Sequence, residues 1–257
     1  MNLFEKCEDI YCEIVSKSLY RDILKKKVIP NFRKVKFEEV KNEYDFSLKQ
    51  KDVEYPYSIT MEEGLFMLKT ILKNNLKNGY EIATAFGISS FFIGLGFKKT
   101  GGLLKTMDCY IEESKNDFIY SAEEIKNHIE VLNMQIEKGK YPTGLKIAKE
   151  NAKFIKIENN VNYIVGVSPS DAEKYLSDDK LDFVFIDGGH FGNQPTIDFE
   201  SVKEKIGEKC ALFFHDNNQN PAVASAINAA ESYFGVKAID LNTHWHLTIL
   251  PIGINRL

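Results

Sequence analysis

The stretch from Leu181 to His190 constrains the fold of this chain more than any other. It reads Leu-Asp-Phe-Val-Phe-Ile-Asp-Gly-Gly-His, so a short, mostly apolar run precedes an aspartate and two glycines. Such a run, rich in β-branched and aromatic residues, is typical of a strand that is buried on both faces of a parallel sheet. The glycines allow the backbone to turn sharply before His190. We therefore expect a central strand with Asp187 at its carboxyl end.

A second stretch, Ala211 to Asn217, repeats this design. Its apolar residues are followed by His215, Asp216 and Asn217. In open α/β sheets, ligands bind outside the carboxyl ends of the strands. If the two strands are neighbours, their polar ends meet, and we place the chemical centre there. We interpret His215 as a packing residue that points away from Asp216 within its strand.

Strands and helices alternate along the rest of the chain. We predict strands at residues 80–83, 103–108, 161–167, 181–187, 211–216, 236–241 and 246–250. We predict helices at 62–76, 89–96, 168–176, 196–206 and 222–234, and a long helical segment over 112–157 that is interrupted near 139–144. Thr60 and Glu63 fit a capping box, and Ser168 or Ser170 fits an N-cap. This order predicts an α/β fold, with a doubly wound, mostly parallel, seven-stranded Rossmann-like sheet and an antiparallel last strand.

The chain divides into two predicted parts. Residues 1–57 form an N-terminal helical appendage, with an amphipathic helix from Leu3 to about Leu24 and an irregular connector over 31–57. Residues 58–257 form the Rossmann-like domain, with a helical insertion at about 112–140. The helix of the appendage has three interpretations: packing on the main domain, the interface of a homodimer, or a lid over a substrate pocket.

Composition limits the partners of the chain. Lys and Arg number 33 against 37 Asp and Glu, and this net charge of −4 gives no electrostatic reason to expect a nucleic-acid partner. No apolar run approaches the ~20 residues that span a bilayer, and no signal peptide is evident. The four cysteines lack zinc-type spacing, which favours reduced thiols in a cytoplasmic protein.

Residues 81–89 predict a nucleoside site. A strand, a tight turn of small residues and a helix start follow one another there. A pyrophosphate-binding loop requires three glycines, but Ala83 and Ala85 take the first two positions, so a dinucleotide is disfavoured. Asp108, at the end of the next strand, is placed to accept hydrogen bonds from both hydroxyls of a ribose. Glu81 is placed to meet a cationic amine, directly or through water.

Four segments carry a resemblance to a known family. These segments are Thr60–Gly64, Glu81–Ser89 with Ala83 replacing a usual glycine and Gly87 retained, Gly166–Ser168, and Leu181–His190 together with His215–Asn217. They resemble the cofactor-bordering segment, the first motif, the adenine loop and the metal motifs of class I S-adenosylmethionine-dependent methyltransferases. The nearest type is the metal-dependent catechol and caffeoyl-CoA O-methyltransferases, and the resemblance spans about residues 58–251.

The resemblance implies a set of residues that bind S-adenosyl-L-methionine. This set is Thr60, Met61, Glu81, Ala83, Gly87, Ser89, Asp108, Cys109, Val167, Ser168 and Asp187.

The metal site follows from the residue types as well as from the resemblance. Asp187, Asp216 and Asn217 offer hard oxygen donors, which suit Mg²⁺, Ca²⁺ or Mn²⁺ better than zinc. His190, where the family often carries a lysine or a histidine, is a candidate general base beside the catalytic Asp187, because histidine exchanges protons near neutral pH. The alternative is that His190 orients the substrate or contacts a metal ligand without exchanging a proton.

These expectations combine into one leading function. It is O-methylation of a hydroxylated small molecule, a sugar or an aromatic diol, with S-adenosylmethionine as donor and a divalent cation as aid. The alternatives are a metal-independent methyltransferase whose Asp/Asn cluster binds the substrate directly, an NAD(P)-dependent oxidoreductase on a similar sheet, and a cofactor-binding module without catalysis.

Overall fold

The secondary structure comes from a computed structural model that describes residues 35–36, 52–53, 59–110, 122–176, 180–190, 192–217 and 220–255. The strands are β1 (Val35–Lys36), β2 (Asp52–Val53), β3 (Asn78–Ile82), β4 (Leu103–Asp108), β5 (Val161–Val165), β6 (Leu181–Ile186), β7 (Ile206–Phe214), β8 (Ile239–Asp240) and β9 (Thr248–Ile252). The helices are α1 (Met61–Asn74), α2 (Ile88–Thr100), α3 (Ala122–Glu137), α4 (Thr143–Ile155), α5 (Ala172–Tyr175), α6 (Gln194–Val202) and α7 (Pro221–Phe234), and a 3₁₀ turn (Lys203–Lys205) follows α6.

One seven-stranded sheet organises the fold, in the order β5-β4-β3-β6-β7-β9-β8. β3 to β7 run parallel, whereas β9 is antiparallel to β7 and to β8. The chain moves outward from β3 to β5 and then returns to β6 on the other side of β3. Strand order therefore reverses between β3 and β6, and ligands bind in the crevice at such a reversal. The predicted sheet, with an antiparallel strand at its end, is confirmed.

Helices cover both faces of the sheet, because the central strands are apolar on both sides. Along β6, Phe183 and Phe185 pack into a core with α1 and α2, while Val184 and Ile186 pack into a second core with α6 and α7. All four side chains are buried. Each contributes about 1.5–3 kcal/mol through its burial, and this burial anchors β6 in the middle of the sheet.

α1 begins where the sequence predicts. The Glu63 N–H donates to the Thr60 hydroxyl at 3.3 Å, and the Thr60 N–H donates to the Glu63 carboxylate at 2.6 Å. This capping box satisfies two backbone donors that the start of a helix leaves free. The predicted capping box is confirmed.

The predicted helix over 168–176 is wrong in length. The Val167 N–H donates to the Asp171 carboxylate at 3.0 Å, which closes a turn, and the helix α5 starts only at Ala172. Neither predicted serine caps it. The Ser168 hydroxyl pairs with Ser201 at 3.2 Å, and the Ser170 hydroxyl donates to the Val167 carbonyl.

The predicted start of β7 is also wrong. β7 begins at Ile206 rather than Ala211, and α6 ends at Val202. The first part of β7 carries the exposed residues Glu208 and Lys209, so the apolar pattern that marks a buried strand appears only from Cys210 onward.

The N-terminal helix predicted for residues 3–24 lies outside the described residues. Within the predicted connector, β1 and β2 pair with each other in antiparallel orientation. None of the described helices combines the length and the apolar character that crossing a membrane requires.

Candidate functional site

The loop between β3 and α2 is built on left-handed backbone. Ala83 has a φ of 76°, Ala85 of 45° and Gly87 of 79°. The Ala83 N–H donates to the Met107 carbonyl at 2.8 Å, and the Ala85 N–H donates to the Asp108 carboxylate at 2.7 Å. β4 therefore holds the loop in a conformation that non-glycine residues rarely adopt.

Glu81 lies beneath this loop and is fully buried. The Ser90 hydroxyl donates to its Oε2, and among the described residues its Oε1 has no hydrogen-bond partner. Burial raises the pKa of Glu81 to about 7, although the hydroxyls of Ser89, Ser90 and Thr106 oppose this shift. A buried, half-paired carboxyl group at the crevice is a candidate partner for a cationic ligand group.

Asp108 ends β4 beside the same loop. Its carboxylate accepts hydrogen bonds from the N–H groups of Ala85 and Tyr110, both at 2.7 Å. Burial raises the pKa of Asp108, and these backbone donors partly oppose the shift. These donors fix the carboxylate beside the loop, and its contact with a ribose stays a prediction.

The remaining predicted cofactor residues flank this crevice. Thr60 and Met61 stand at the start of α1. Cys109 follows Asp108, and its carbonyl lies 3.1 Å from Nε2 of His128. Val167 and Ser168 follow β5 at the same carboxyl edge of the sheet. Their contacts with a cofactor stay predictions.

Asp187 and Asp216 meet where β6 and β7 end. Ile186 lies opposite Phe214 in the paired strands, so the residues that follow leave the sheet side by side. One ligand atom from each of Asp187, His190 and Asp216 lies within 4.8 Å of the other two. Nε2 of His190 is 3.6 Å from Oδ2 of Asp216. The expected proximity of the two strand ends is therefore present, and His190 joins it.

Asn217 faces β9. Its Nδ2 donates to the Thr248 hydroxyl at 3.2 Å, which holds the amide against that strand. Its place as a third cation ligand stays a prediction.

The turn that carries His190 is fixed from below. A side-chain carbon at Gly188 would lie 2.8 Å from Oδ2 of the buried Asp198, so this position accepts only glycine without rearrangement. Burial raises the pKa of Asp198 to about 6, and hydrogen bonds from Ser168 and Gln194 oppose this shift.

The interpretation of His215 as a packing residue is wrong. Its Nδ1 lies 3.0 Å from Oδ1 of Asp187 and 3.5 Å from Oδ2 of Asp216, and its Nε2 lies 3.4 Å from Oε2 of Glu63. Burial opposes a charge on His215, but the three carboxylates outweigh it and hold the pKa of His215 well above its usual range. Strand alternation places His215 on the same face as Phe213, toward α1, and the ring does lie there beside Phe185. The chain turns at Asp216, which has a φ of 60°, and this turn brings the Asp216 carboxylate to His215.

Glu63 is the second site residue that the sequence does not reveal. It is fully buried, and besides closing the capping box it accepts hydrogen bonds from the Thr243 hydroxyl at 2.7 Å and the Trp245 N–H at 3.3 Å. Burial raises the pKa of Glu63, but hydrogen bonds from His215, Thr243 and Thr60 outweigh it and hold the pKa below its usual range. In the sequence, Glu63 is marked only by the capping box, which indicates local structure. It does not indicate a contact with His215, which is 152 residues away in the chain.

Residues 80–217, more than half of the chain, match a family model described as a methyltransferase domain. The chain belongs to this methyltransferase family. A comparison with curated protein sequences gives no match. The matched segment of the methyltransferase contains Glu81, Asp108, Asp187 and Asp216, whereas Glu63 lies before it.

Solved structures share the fold of this methyltransferase. A candidate caffeoyl-CoA O-methyltransferase from Staphylococcus aureus is 18% identical, covers 93% of this chain and 100% of its own, and has a TM-score of 0.57. An O-methyltransferase from Bacillus cereus in complex with SAH is 16% identical over 77% of this chain and 84% of its own, with a TM-score of 0.52. The SAH-bound Podospora anserina methyltransferase PaMTH1 is 12% identical over 93% and 95%, with a TM-score of 0.51. The fold is that of the class I S-adenosylmethionine-dependent methyltransferases.

Proposed function

We propose that this methyltransferase transfers the methyl group of S-adenosylmethionine to a hydroxyl of a small molecule, aided by a divalent cation at Asp187 and Asp216. The observation that carries the proposal is the cluster of Asp187, His190 and Asp216, within 4.8 Å of one another at the carboxyl ends of two central strands. Vicinal oxygens on a sugar or an aromatic ring are the acceptor chemistry that fits such a site best.

The chain's own residues fit the methyl donor. Glu81 offers a buried oxygen without a described partner toward a cationic amine, and Asp108 offers fixed carboxylate oxygens toward ribose hydroxyls. Two structural neighbours are bound to SAH, the demethylated form of the donor. Together these support S-adenosylmethionine as the cofactor.

The donor set also fits a hard cation. Two carboxylates suit Mg²⁺, Ca²⁺ or Mn²⁺, which bind oxygen ligands and keep open positions for water and substrate. A cation held at Asp187 and Asp216 would lower the pKa of a bound acceptor hydroxyl and fix its direction.

His190 is the proposed general base. Its side chain is 31% exposed, so an acceptor can reach it, and Asp216 at 3.6 Å orients the ring. The Asn220 side-chain amide donates to the His190 carbonyl at 3.2 Å and fixes the backbone of this turn. Methyl transfer is an in-line displacement, so holding the acceptor oxygen in line with the methyl group supplies much of the rate.

The test begins with binding and continues with turnover. Isothermal titration should show binding of S-adenosylmethionine, and no heat at millimolar cofactor would end the proposal. SAH release should then be followed over a panel of catechols and sugars, with Mg²⁺ or with EDTA. Turnover should require the cation.

Variants assign the residues in this assay. Asp187→Ala and Asp216→Ala should abolish the response to Mg²⁺, and His190→Ala should lower kcat and shift its pH profile. Glu204→Ala removes a carboxylate on the distant 3₁₀ turn and is the matched control. Equal loss of turnover in the control would contradict the assigned site.

A metal-independent methyltransferase is the second candidate, because one observation favours it. Nδ1 of His215 lies within 3.5 Å of both Asp187 and Asp216, so these carboxylates already have a cationic partner inside the protein. In that case the Asp/Asn cluster binds the acceptor directly, and full turnover in excess EDTA would support it. The methyltransferase family match argues against the oxidoreductase alternative.

A further inference from the structure

Glu63 is held more deeply than helix capping requires. A capping box uses one carboxylate oxygen, and its glutamate ordinarily faces solvent at the helix start. Here Glu63 is 0% exposed, and its second oxygen accepts hydrogen bonds from Thr243 and Trp245. The capping box therefore explains only part of the burial of this charge.

The charge itself has a partner. A glutamine closes a capping box as well as a glutamate does, without the free energy that is lost when a carboxylate is buried. The buried charge of Glu63 instead faces Nε2 of His215 at 3.4 Å. Buried charges persist in proteins where they are paired, so His215 is the group that accounts for a glutamate at this position.

His215 connects Glu63 to the candidate site. Its other ring nitrogen, Nδ1, lies 3.0 Å from Oδ1 of Asp187. The ring is packed edge-on against Phe185, with centroids 6.0 Å apart. A ring that is held at both nitrogens and on one edge cannot rotate freely. It therefore fixes the orientation of the Asp187 carboxylate.

We propose that Glu63 is a positioning residue for the cation site, acting through His215. This inference rests on the proposed cation at Asp187 and Asp216. The Glu63 carboxylate contacts the start of α1, the Thr243–Trp245 loop and His215 after β7, so three separate segments of the chain fix its position. Partners of this kind, which bind a ligand side chain rather than the metal, commonly change metal affinity by about 10–100-fold.

The test measures cation affinity without turnover. Free Mn²⁺, which like Mg²⁺ prefers oxygen ligands, is followed by electron paramagnetic resonance while it is titrated into the protein. Glu63→Gln can still close the capping box but lacks the charge, and it should raise the Kd for Mn²⁺ by about tenfold. Leu72→Ala loosens the packing of α1 without touching Glu63, and its Kd should stay within about twofold of the wild-type value.

A second variant separates positioning from helix stability. His215→Asn is too short to bridge Glu63 and Asp187, so it should raise the Kd as Glu63→Gln does. In the His215→Asn background, Glu63→Gln should add nothing, because its effect passes through the ring. His215→Asn alone still tests the contact through the ring if Glu63→Gln does not fold.

The outcomes are distinct. An unchanged or lower Kd in Glu63→Gln, additive effects in the double variant, or an equal rise in Leu72→Ala overturns the positioning role and leaves the cation site intact. Absence of Mn²⁺ binding to the wild-type protein overturns the cation site itself, and the positioning role with it.

Discussion

Ala83→Gly tests whether the cofactor loop is strained. Ala83 has a φ of 76°, in the left-handed region, where an L-residue other than glycine loses about 1–2 kcal/mol. Glycine relieves this strain, but it also has more conformational freedom in the unfolded chain, which lowers the free energy of unfolding by about 0.4–1 kcal/mol. The methyl group of Ala83 is only half-buried, so its removal loses less than about 0.8 kcal/mol. We expect a net gain of about 0.5 kcal/mol in the free energy of unfolding.

The matched control is the same substitution in a helix. Ala229 lies in the middle of α7 and is half-buried like Ala83. Ala229→Gly should lower the free energy of unfolding by about 1 kcal/mol. The unfolded-state contribution is the same at both sites and cancels in the comparison, so the two variants should differ by about 1.5 kcal/mol.

Chemical denaturation of the two variants beside the wild type gives this difference directly. The hydrogen bond from the Ala83 N–H to Met107 survives the substitution, so the loop keeps its shape. If Ala83→Gly destabilises the protein as much as Ala229→Gly does, the loop carries no strain at this position, and the reasoning is refuted.

Three further predictions follow from buried groups. The pKa of Glu81 is 4.5 in a free side chain and about 7 in the folded protein, so its contribution to stability is complete below pH 4.5 and lost by pH 7. The free energy of unfolding of the wild type should therefore fall by about 3 kcal/mol over this range, and that of Glu81→Gln should not. The pKa of His215 is raised on folding, so its contribution is complete below pH 6.5 and declines above it. Between pH 6 and pH 10 the free energy of unfolding should therefore fall more for the wild type than for His215→Asn. An equal fall in both proteins would contradict the ion pairs of His215. Gly64→Ala places a carbon 2.2 Å from the Phe92 ring and should cost about 1–3 kcal/mol in thermal unfolding, whereas an unchanged midpoint would show that the ring moves freely.

The features that the sequence predicts correctly are those with a local cause. The run from Leu181 to Ile186 is apolar on both faces, and that alone requires a central strand with cover on both sides. Thr60 and Glu63 are three residues apart, so the capping box and the start of α1 follow from spacing. The meeting of Asp187 and Asp216 needed one further step, the rule that parallel strands present their carboxyl ends at one edge.

The features that the sequence does not predict have causes far away in the chain. His215 and Glu63 are separated by 152 residues, and only the folded sheet brings them together. The sequence pattern favours a structural role for each residue, because packing explains a histidine in an apolar strand and helix capping explains the glutamate. The left-handed backbone of Asp216 brings its carboxylate to His215, and the ends of strands are the least certain part of a pattern.

Backbone strain and buried charge occur at the same edge of the sheet. Asn75 and Lys156 cap the ends of helices. The other described non-glycine residues with positive φ are Ala83, Ala85, Tyr110, Asp216, Asn242 and His246. All of them follow strand ends around the crevice or lie in the loop that contacts Glu63.

Strained residues persist only where the surrounding structure fixes them, at about 1–3 kcal/mol each. The fixing groups here are carboxylates: the half-buried Asp108 binds the N–H groups of Ala85 and Tyr110, and the buried Glu63 binds Thr243 and Trp245. Because these bonds hold loops rather than the core, their loss should relax the crevice while the sheet stays folded. The geometry of the site therefore depends on a few carboxylates, and the stability of the fold depends on the apolar strands beneath them.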